Sequence, residues 1–115
     1  MLRKTTLMAG FAALFLSSPV SALDHQILVL PDAYFPQTSY VNSGDALVFT
    51  NESDVVITVT SADEEWSTGA LGFGQSATIL VVPGMTTDFF HEGVEDENGD
   101  PAVTGIISFI EPPLD

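Results

Sequence analysis

The stretch TSYVNSGDALVFTNESDVVITVTS, residues 38–61, contains three apolar segments separated by two turns. The segments TSYV (38–41), ALVFTN (46–51) and VVITVTS (55–61) are rich in β-branched and aromatic residues, which favour strands. Asn, Ser, Gly and Asp fill both intervals between them, and these residues are typical of turns. Three short strands in succession, with no helical periodicity, indicate an all-β domain.

Four further segments extend the same pattern along the chain. They are HQILVL (25–30), QSATILVV (75–82), TTDFFH (86–91) and TGIISFI (104–110). Seven short strands separated by turns predict a Greek-key antiparallel β-sandwich. The interval 62–74 has no strand-like alternation, and we expect a loop there.

The amino-terminal residues have the features of a secretory signal peptide. Arg3 and Lys4 precede an apolar run at residues 7–16, and Val20-Ser21-Ala22 is a small-residue cleavage site. The run is too short to span a bilayer, which opposes the alternative of an uncleaved anchor. We therefore expect residues 1–22 to be removed on export, leaving one domain at 23–115 in the periplasm or the extracellular medium.

The processed chain would be strongly acidic. Both basic residues lie in the signal segment, so residues 23–115 keep all sixteen Asp and Glu and contain no Lys or Arg. Nucleic acid is excluded as a partner, because phosphate binding requires cations. The acidity suits either solubility in a salty medium or attraction to a cationic protein partner or divalent metal ions. No second apolar run is long enough for a membrane span.

Several segments resemble the cupredoxin family. AYFPQTSYVNSGDALVFTNESD (33–54) is similar to its opening, where Phe-x-Pro leads to a strand, then Gly-Asp, then an apolar strand ending in Asn. VVITVTSAD (55–63) resembles the next strand and GFGQSATILVVPG (72–84) the one after it. TDFFH and TGIISFI resemble the final pair, which in that family brackets the copper loop. The resemblance implies a cupredoxin-like sandwich over nearly all of the processed chain.

The copper ligands of that family are not retained. Ile57 stands where the resemblance implies the first His, and His91 stands where it implies the Cys. The loop at 92–103, which would supply the second His and the Met, contains neither. A blue-copper site needs two imidazoles and a thiolate, and the chain has no Cys. We therefore expect neither a blue-copper centre nor the electron transfer that it supports.

Two histidines remain as candidate metal ligands. Cleavage after Ala22 would leave Leu23, Asp24 and His25 as the new amino terminus. A His in third place resembles the amino-terminal motif that binds Cu(II) or Ni(II) in a square plane through an amine, two amides and an imidazole. His91 is either a weak metal ligand beside carboxylates or a polar residue at a strand end.

The loop after His91 is rich in carboxylates. Carboxylates are hard oxygen donors, which suit a cation such as Ca²⁺. Gly99, however, is at the wrong offset for the loop of an EF-hand. The alternative is a solvated loop that binds no cation. Its acidic residues are Glu92, Glu95, Asp96, Glu97 and Asp100.

The sequence offers little for catalysis. Residues 23–115 contain no Cys, Lys or Arg, and the chain has no nucleophile-elbow motif. We expect no enzymatic activity and no resident cofactor, and Cu(II) is the metal ion that the candidate sites could bind. The expected function is an exported acidic interaction module. The alternative is a copper-binding or copper-handling protein using a non-standard site at His25 or His91.

Overall fold

The computed structural model describes residues 22–110, so all of the predicted signal segment except Ala22 lies outside the described residues. Nine strands follow one another in the described part of the chain. They are β1 (Asp24–Leu30), β2 (Ala33–Phe35), β3 (Thr38–Tyr40), β4 (Ala46–Asn51), β5 (Ile57–Ser61), β6 (Ser67–Leu71), β7 (Ser76–Leu80), β8 (Asp88–His91) and β9 (Thr104–Ser108).

The strands form two sheets that pack face to face. One sheet has the order β2-β1-β4-β7, and the other has the order β3-β9-β8-β5-β6. Burial alternates along β4, where Leu47, Phe49 and Asn51 are buried and the residues between them are half-exposed. This period of two places one face of each strand in a shared core, as expected for a β-sandwich. The predicted fold class is confirmed.

Aromatic rings fill the centre of the core. Phe49 and Phe89 meet edge to face with their ring centroids 5.3 Å apart. Trp66 packs against both of them, at 6.0 Å from Phe49 and 5.8 Å from Phe89, and its indole N–H donates to the carbonyl of Thr86. Trp66 thus covers the edge of the core.

The sheets are mixed, and this differs from the wholly antiparallel arrangement that the turn pattern predicts. β1 runs parallel to β4, and β3 runs parallel to β9. The reason is that β2 and β3 intervene between β1 and β4, and β3 lies in the other sheet. A strand that returns after such a crossover can pair in parallel, which a tight hairpin cannot do.

Two edge strands, β2 and β6, are absent from the sequence prediction. Four of the five residues of β6 are exposed or half-exposed, so the alternation that marks a half-buried strand is missing from it. Gly69 in the middle of β6 has a φ of 75°, which is unusual for a strand. β2 has three residues and lies between Pro31 and Pro36. Among the described residues, no helix is long and apolar enough to cross a membrane.

Candidate functional site

Asn51 fixes two loops at the end of β4. Its side chain is fully buried, and its amide nitrogen donates to the carbonyl oxygens of Val55 at 2.8 Å and Leu71 at 2.7 Å. Its side-chain oxygen accepts the N–H of Ser53, and its backbone carbonyl accepts the N–H of Gly74. Since every polar group of this buried amide is used, the 52–56 and 72–75 loops are held in one arrangement.

These two loops carry three large apolar side chains that face solvent. Val55 is 54%, Val56 is 67% and Phe73 is 70% exposed, and we call the three together the apolar tip. Glu52 and Asp54, which precede it in the first loop, are exposed carboxylates. Exposed apolar side chains on fixed loops with acidic residues beside them are typical of a surface that binds another protein.

His91 lies inside the sandwich at the end of β8. It is 1% exposed, it pairs with Val59 of β5, and its ring centroid is 4.7 Å from that of Tyr34. Among the described residues, neither ring nitrogen of His91 nor the hydroxyl of Tyr34 has a hydrogen-bond partner. Burial lowers the pKa of His91, and the negative charge of Asp32 opposes this effect. His91 is therefore a neutral imidazole at physiological pH.

The two positions that the resemblance assigns to copper ligands lie on neighbouring strands. Ile57, at the start of β5, is buried and pairs with Leu71, while His91 pairs with Val59 two residues further along β5. Ile57 directly follows the apolar tip, so these positions and the tip share one end of the molecule. Within residues 22–110, no three His, Cys, Asp or Glu side chains are placed to share a metal ion.

The amino-terminal candidates meet at the opposite end of β4, about 20 Å away by the rise of a six-residue strand. The backbone N–H of Leu23 donates to Asp45 Oδ1 at 3.1 Å, and His25 Nε2 lies 2.8 Å from Asp45 Oδ2. We call these three residues the Asp45 clamp. Asp24, the middle residue of the predicted metal motif, is exposed and pairs with Ala46 in the sheet.

Asp45 is the residue of this group that the sequence analysis missed. The pair Gly44-Asp45 marks a turn, but the carboxylate also contacts His25 and Leu23, which lie 20 and 22 positions earlier in the chain. Hydrogen bonds from the N–H of Asn42, from the His25 ring and from the N–H of Leu23 lower the pKa of Asp45. The carboxylate is ionised although only 2% of the residue is exposed.

The acidic loop after His91 satisfies much of its own hydrogen bonding. Asp96 Oδ1 accepts the backbone N–H groups of Asn98 at 2.8 Å and Asp100 at 3.0 Å, which is an Asx-type turn. Glu92 lies beside β5, where its carboxylate accepts the hydroxyl of Thr60. Glu95 and Glu97 are exposed. The loop is a shaped, solvated turn, and its role in cation binding stays a prediction.

A second group of carboxylates, also missed in the sequence, supports Trp66. The hydroxyl of Thr86 donates to Asp63 at 2.7 Å and lies 3.2 Å from Glu65. The bond from Thr86 makes the largest contribution to lowering the pKa of Asp63. These contacts hold the 62–66 turn against the segment that carries the Thr86 carbonyl, the acceptor for the indole.

The arrangement of the strands matches that of cupredoxins of known structure. A copper-containing nitrite reductase from Thermus scotoductus SA-01 superposes with a TM-score of 0.60 and 19% identity over 82% of this chain, which spans 24% of the reductase chain. A purple cupredoxin from Nitrosopumilus maritimus superposes with a TM-score of 0.62 and 15% identity, covering 76% of this chain and 100% of its own. No family model and no curated protein matches the sequence.

The molecule is therefore a β-sandwich of the cupredoxin-like class, which confirms the resemblance at the level of the fold. At these identities the likeness extends to the fold alone. The chain has no Cys, and Ile57 and His91 stand at two of the positions that the resemblance assigns to copper ligands.

Proposed function

We propose that this protein is an exported interaction module, with a cupredoxin-like fold and no blue-copper centre, whose apolar tip binds a cationic protein. The exposed side chains of Val55, Val56 and Phe73 on loops fixed by Asn51 carry the proposal. A rigid apolar surface loses little conformational entropy on binding, which favours affinity.

The charge of the domain determines the kind of partner. Every described Asp and Glu except Asp45 is exposed, and the sequence from residue 23 onward contains no Lys or Arg. Such a field attracts a basic surface over long range and repels an acidic one. The complementary partner is a protein with Lys or Arg around an apolar centre. Because the exposed carboxylates are not confined to the tip, charge accelerates the encounter and the tip determines the bound orientation.

Export is supported by the signal segment at residues 1–22. A positive start, a short apolar run and a small-residue end are the three features of a cleavable signal peptide. The partner would then be met in the periplasm or outside the cell. The proposal includes no catalytic activity, in keeping with the lack of Cys, Lys and Arg after residue 22.

Capture from the native exported fraction tests the tip directly. Immobilised protein of residues 23–115 should retain a basic protein at low salt and release it as sodium chloride is raised, since salt screens the attraction. The double variant Val56→Ser with Phe73→Ser should lose this protein. Leu80→Ser is the matched control, because Leu80 is also exposed but pairs with Ala46 at the other end of β4. Equal capture by all three proteins would exclude the tip as the binding surface.

A second candidate function is Cu(II) binding at the new amino terminus, because the nitrogen of Leu23 and the ring of His25 lie close enough together to contact one carboxylate. The motif needs the Leu23 amine, the amides of Asp24 and His25, and the His25 imidazole in one plane. Copper must therefore release these residues from Asp45 and from the pairing of β1 with β4. Asp45 competes with the metal in this arrangement, and binding should weaken as pH falls because protons compete for the same nitrogens.

Calorimetric titration of the Leu23-start protein with Cu(II) separates the two histidines. His25→Ala should remove most of the binding and His91→Ala little of it, whereas Asp45→Asn should strengthen it by freeing the ligands. The reverse ranking of the two histidines would move the site to the end of β8. Weaker binding by Asp45→Asn would show that the carboxylate is a ligand instead of a competitor.

A further inference from the structure

Leu23 is held at both of its backbone groups. Its N–H donates to Asp45 Oδ1 at 3.1 Å, and its carbonyl oxygen accepts the N–H of Ala46 at 2.9 Å. Both partners belong to the segment that opens β4, so the backbone of residue 23 is fixed against the body of the sandwich. This is the residue that becomes the amino terminus if the signal peptide is cleaved after Ala22.

The carboxylate that Leu23 contacts is part of a built site. Oδ2 of Asp45 accepts from His25 Nε2 at 2.8 Å and from the N–H of Asn42 at 2.9 Å, so that oxygen is saturated. Oδ1 contacts the nitrogen of Leu23 alone among the described groups. A carboxylate that is 2% exposed is costly unless it is paired, and a cation on Oδ1 would complete its environment.

We propose that Asp45 is the binding site for the α-ammonium group that signal cleavage creates on Leu23, so that cleavage locks β1 onto β4. The inference rests on the export and the cleavage position given under the proposed function. This role of Asp45 in maturation is separate from the binding of a partner by the apolar tip and from the binding of Cu(II) at the amino terminus.

The chemistry of cleavage supplies the cation. A peptidase adds water across the Ala22–Leu23 bond, which leaves a carboxylate on Ala22 and an amine on Leu23. The amine takes up a proton at neutral pH and becomes an ammonium group. The neutral amide donor of the uncleaved chain is thus replaced by a charged donor at the same place, and charge-assisted hydrogen bonds are about twice as strong as neutral ones.

The composition of the processed chain makes this ammonium group unusual. Arg3 and Lys4 are the only basic residues of the sequence and both leave with the signal segment, so the histidines are the only other groups that can become positive. The structure places the nitrogen of Leu23 on Asp45, the one described carboxylate that is buried. If the ammonium group paired with an exposed carboxylate, solvent would screen the pair and it would contribute little to stability.

Two recombinant forms of the domain, which differ in their first residue, test the proposal. A protein that begins at Leu23 and one that begins at Ala22 have the same net charge, but in the second the ammonium is one residue away from Asp45. We expect the Leu23-start protein to melt higher by about 4 to 8 °C, the shift that corresponds to about 1 kcal/mol of added stability in a domain of this size. The difference should vanish in Asp45→Asn, which keeps the shape of the side chain and removes its charge. Equal melting temperatures of the two starts would overturn the proposal.

A second measurement needs no substitution and so remains decisive if Asp45→Asn fails to fold. Because the processed chain has no Lys, an amine-acylating reagent can label only the terminal amine. The neutral amine is the nucleophile that attacks the reagent, and a neighbouring carboxylate favours the charged, unreactive form of the amine. Acylation of the folded Leu23-start protein should be several-fold slower than that of the folded Ala22-start protein. Equal rates would show a free amine and overturn the proposal.

Failure of this inference is distinguishable from failure of the proposed function. Amino-terminal sequencing of the exported protein tests the cleavage position, and a start other than Leu23 would remove that premise. The comparison of the two recombinant proteins tests whether Asp45 binds the amine, whichever cleavage position the sequencing finds. Capture of a partner by the apolar tip is measured at the other end of β4 and does not depend on either result.

Discussion

His91 is the residue whose local environment is least favourable in the core. It is buried against Tyr34, and both its ring nitrogens and the Tyr34 hydroxyl are without hydrogen-bond partners among residues 22–110. An unsatisfied buried polar group costs about 1 to 3 kcal/mol, so an apolar side chain at this position would be more favourable. Burial also raises the pKa of Tyr34, which keeps its hydroxyl protonated.

The pH dependence of stability should report this environment. Because burial lowers the pKa of His91 in the folded state, the unfolded chain binds a proton below about pH 6.5 that the folded chain does not bind. The free energy of unfolding should therefore fall as pH decreases from 7.5 to 5.5, with a contribution from His91 of up to about 1.4 kcal/mol. Urea denaturation of the wild type and His91→Leu at both pH values measures it.

The comparison isolates His91, since the remaining titrating groups, including Asp45 with its lowered pKa, are common to both proteins. His91→Leu should lose less stability on acidification than the wild type. Identical losses in the two proteins would show that His91 is hydrated or otherwise free to accept a proton in the fold.

At the scale of elements, the contact between β8 and β9 depends on the lack of a side chain at Gly105. A Cβ at this position would lie 2.4 and 2.5 Å from two ring carbons of Phe89 and 3.1 Å from a ring carbon of Tyr34. Phe89 is 1% exposed and also packs against Phe49 and Trp66, so a shift of its ring would disturb the core. Close packing of these two strands therefore requires glycine.

Gly105→Ala should destabilise the domain by about 1 to 3 kcal/mol through overpacking, as measured by thermal or chemical denaturation. Gly72→Ala is the matched control, because its Cβ would meet only the flexible end of Gln75, with the nearest atom at 3.3 Å. Equal losses in the two variants would show that Phe89 relaxes and that the contact is not tight.

The strands with a clear apolar pattern could be predicted from the sequence, and the edge strands β2 and β6 could not. β4 alternates clearly between buried and half-exposed residues, and its apolar pattern predicted its bounds. β6 and β2 bury too few residues to leave a pattern. The parallel pairs depend on which sheet each strand joins, and this is decided by long-range packing that no local signal records.

The candidate sites show the same division. The assignment of Ile57 and His91 to copper-ligand positions comes from the resemblance, and the structure adds that the two residues lie on the paired strands β5 and β8. The burial of His91 and the contact of Asp45 with Leu23 and His25 could not be predicted, because each depends on residues distant in the chain. From the sequence alone, Val55 and Val56 are assigned to a strand and Phe73 to a loop. That the two loops are held together becomes apparent only from the hydrogen bonds of Asn51 in the structure.

At the scale of the whole molecule, the charge is almost entirely of one sign. Exposed acidic side chains occur from Asp24 to Asp100 in the described part of the chain, and no Lys or Arg follows residue 22. Repulsion among them opposes the compact state, and few ion pairs exist that salt could weaken. Among the described residues, the contact between His25 and Asp45 is the only one that forms a salt bridge, and it does so when His25 is protonated.

The melting temperature should therefore rise between low salt and about 0.5 M sodium chloride, where screening acts over only a few ångström. The same titration at pH 4 is the control, because partial protonation of the carboxylates removes much of the repulsion and should reduce the effect. A melting temperature at pH 7 that stays constant or falls would contradict this account of the surface.

The copper content of the exported protein tests the central claim most directly. The claim is that a cupredoxin-like sandwich with Ile57 and His91 at ligand positions, and with no Cys, acts by binding a protein and not through a blue-copper centre. Protein purified from its native exported fraction should contain much less than one copper per chain. It should also show no intense visible band after Cu(II) is added, since no thiolate can donate charge to the metal. One tightly held copper per chain that His91→Ala removes would contradict the account and place a metal centre at the end of β8.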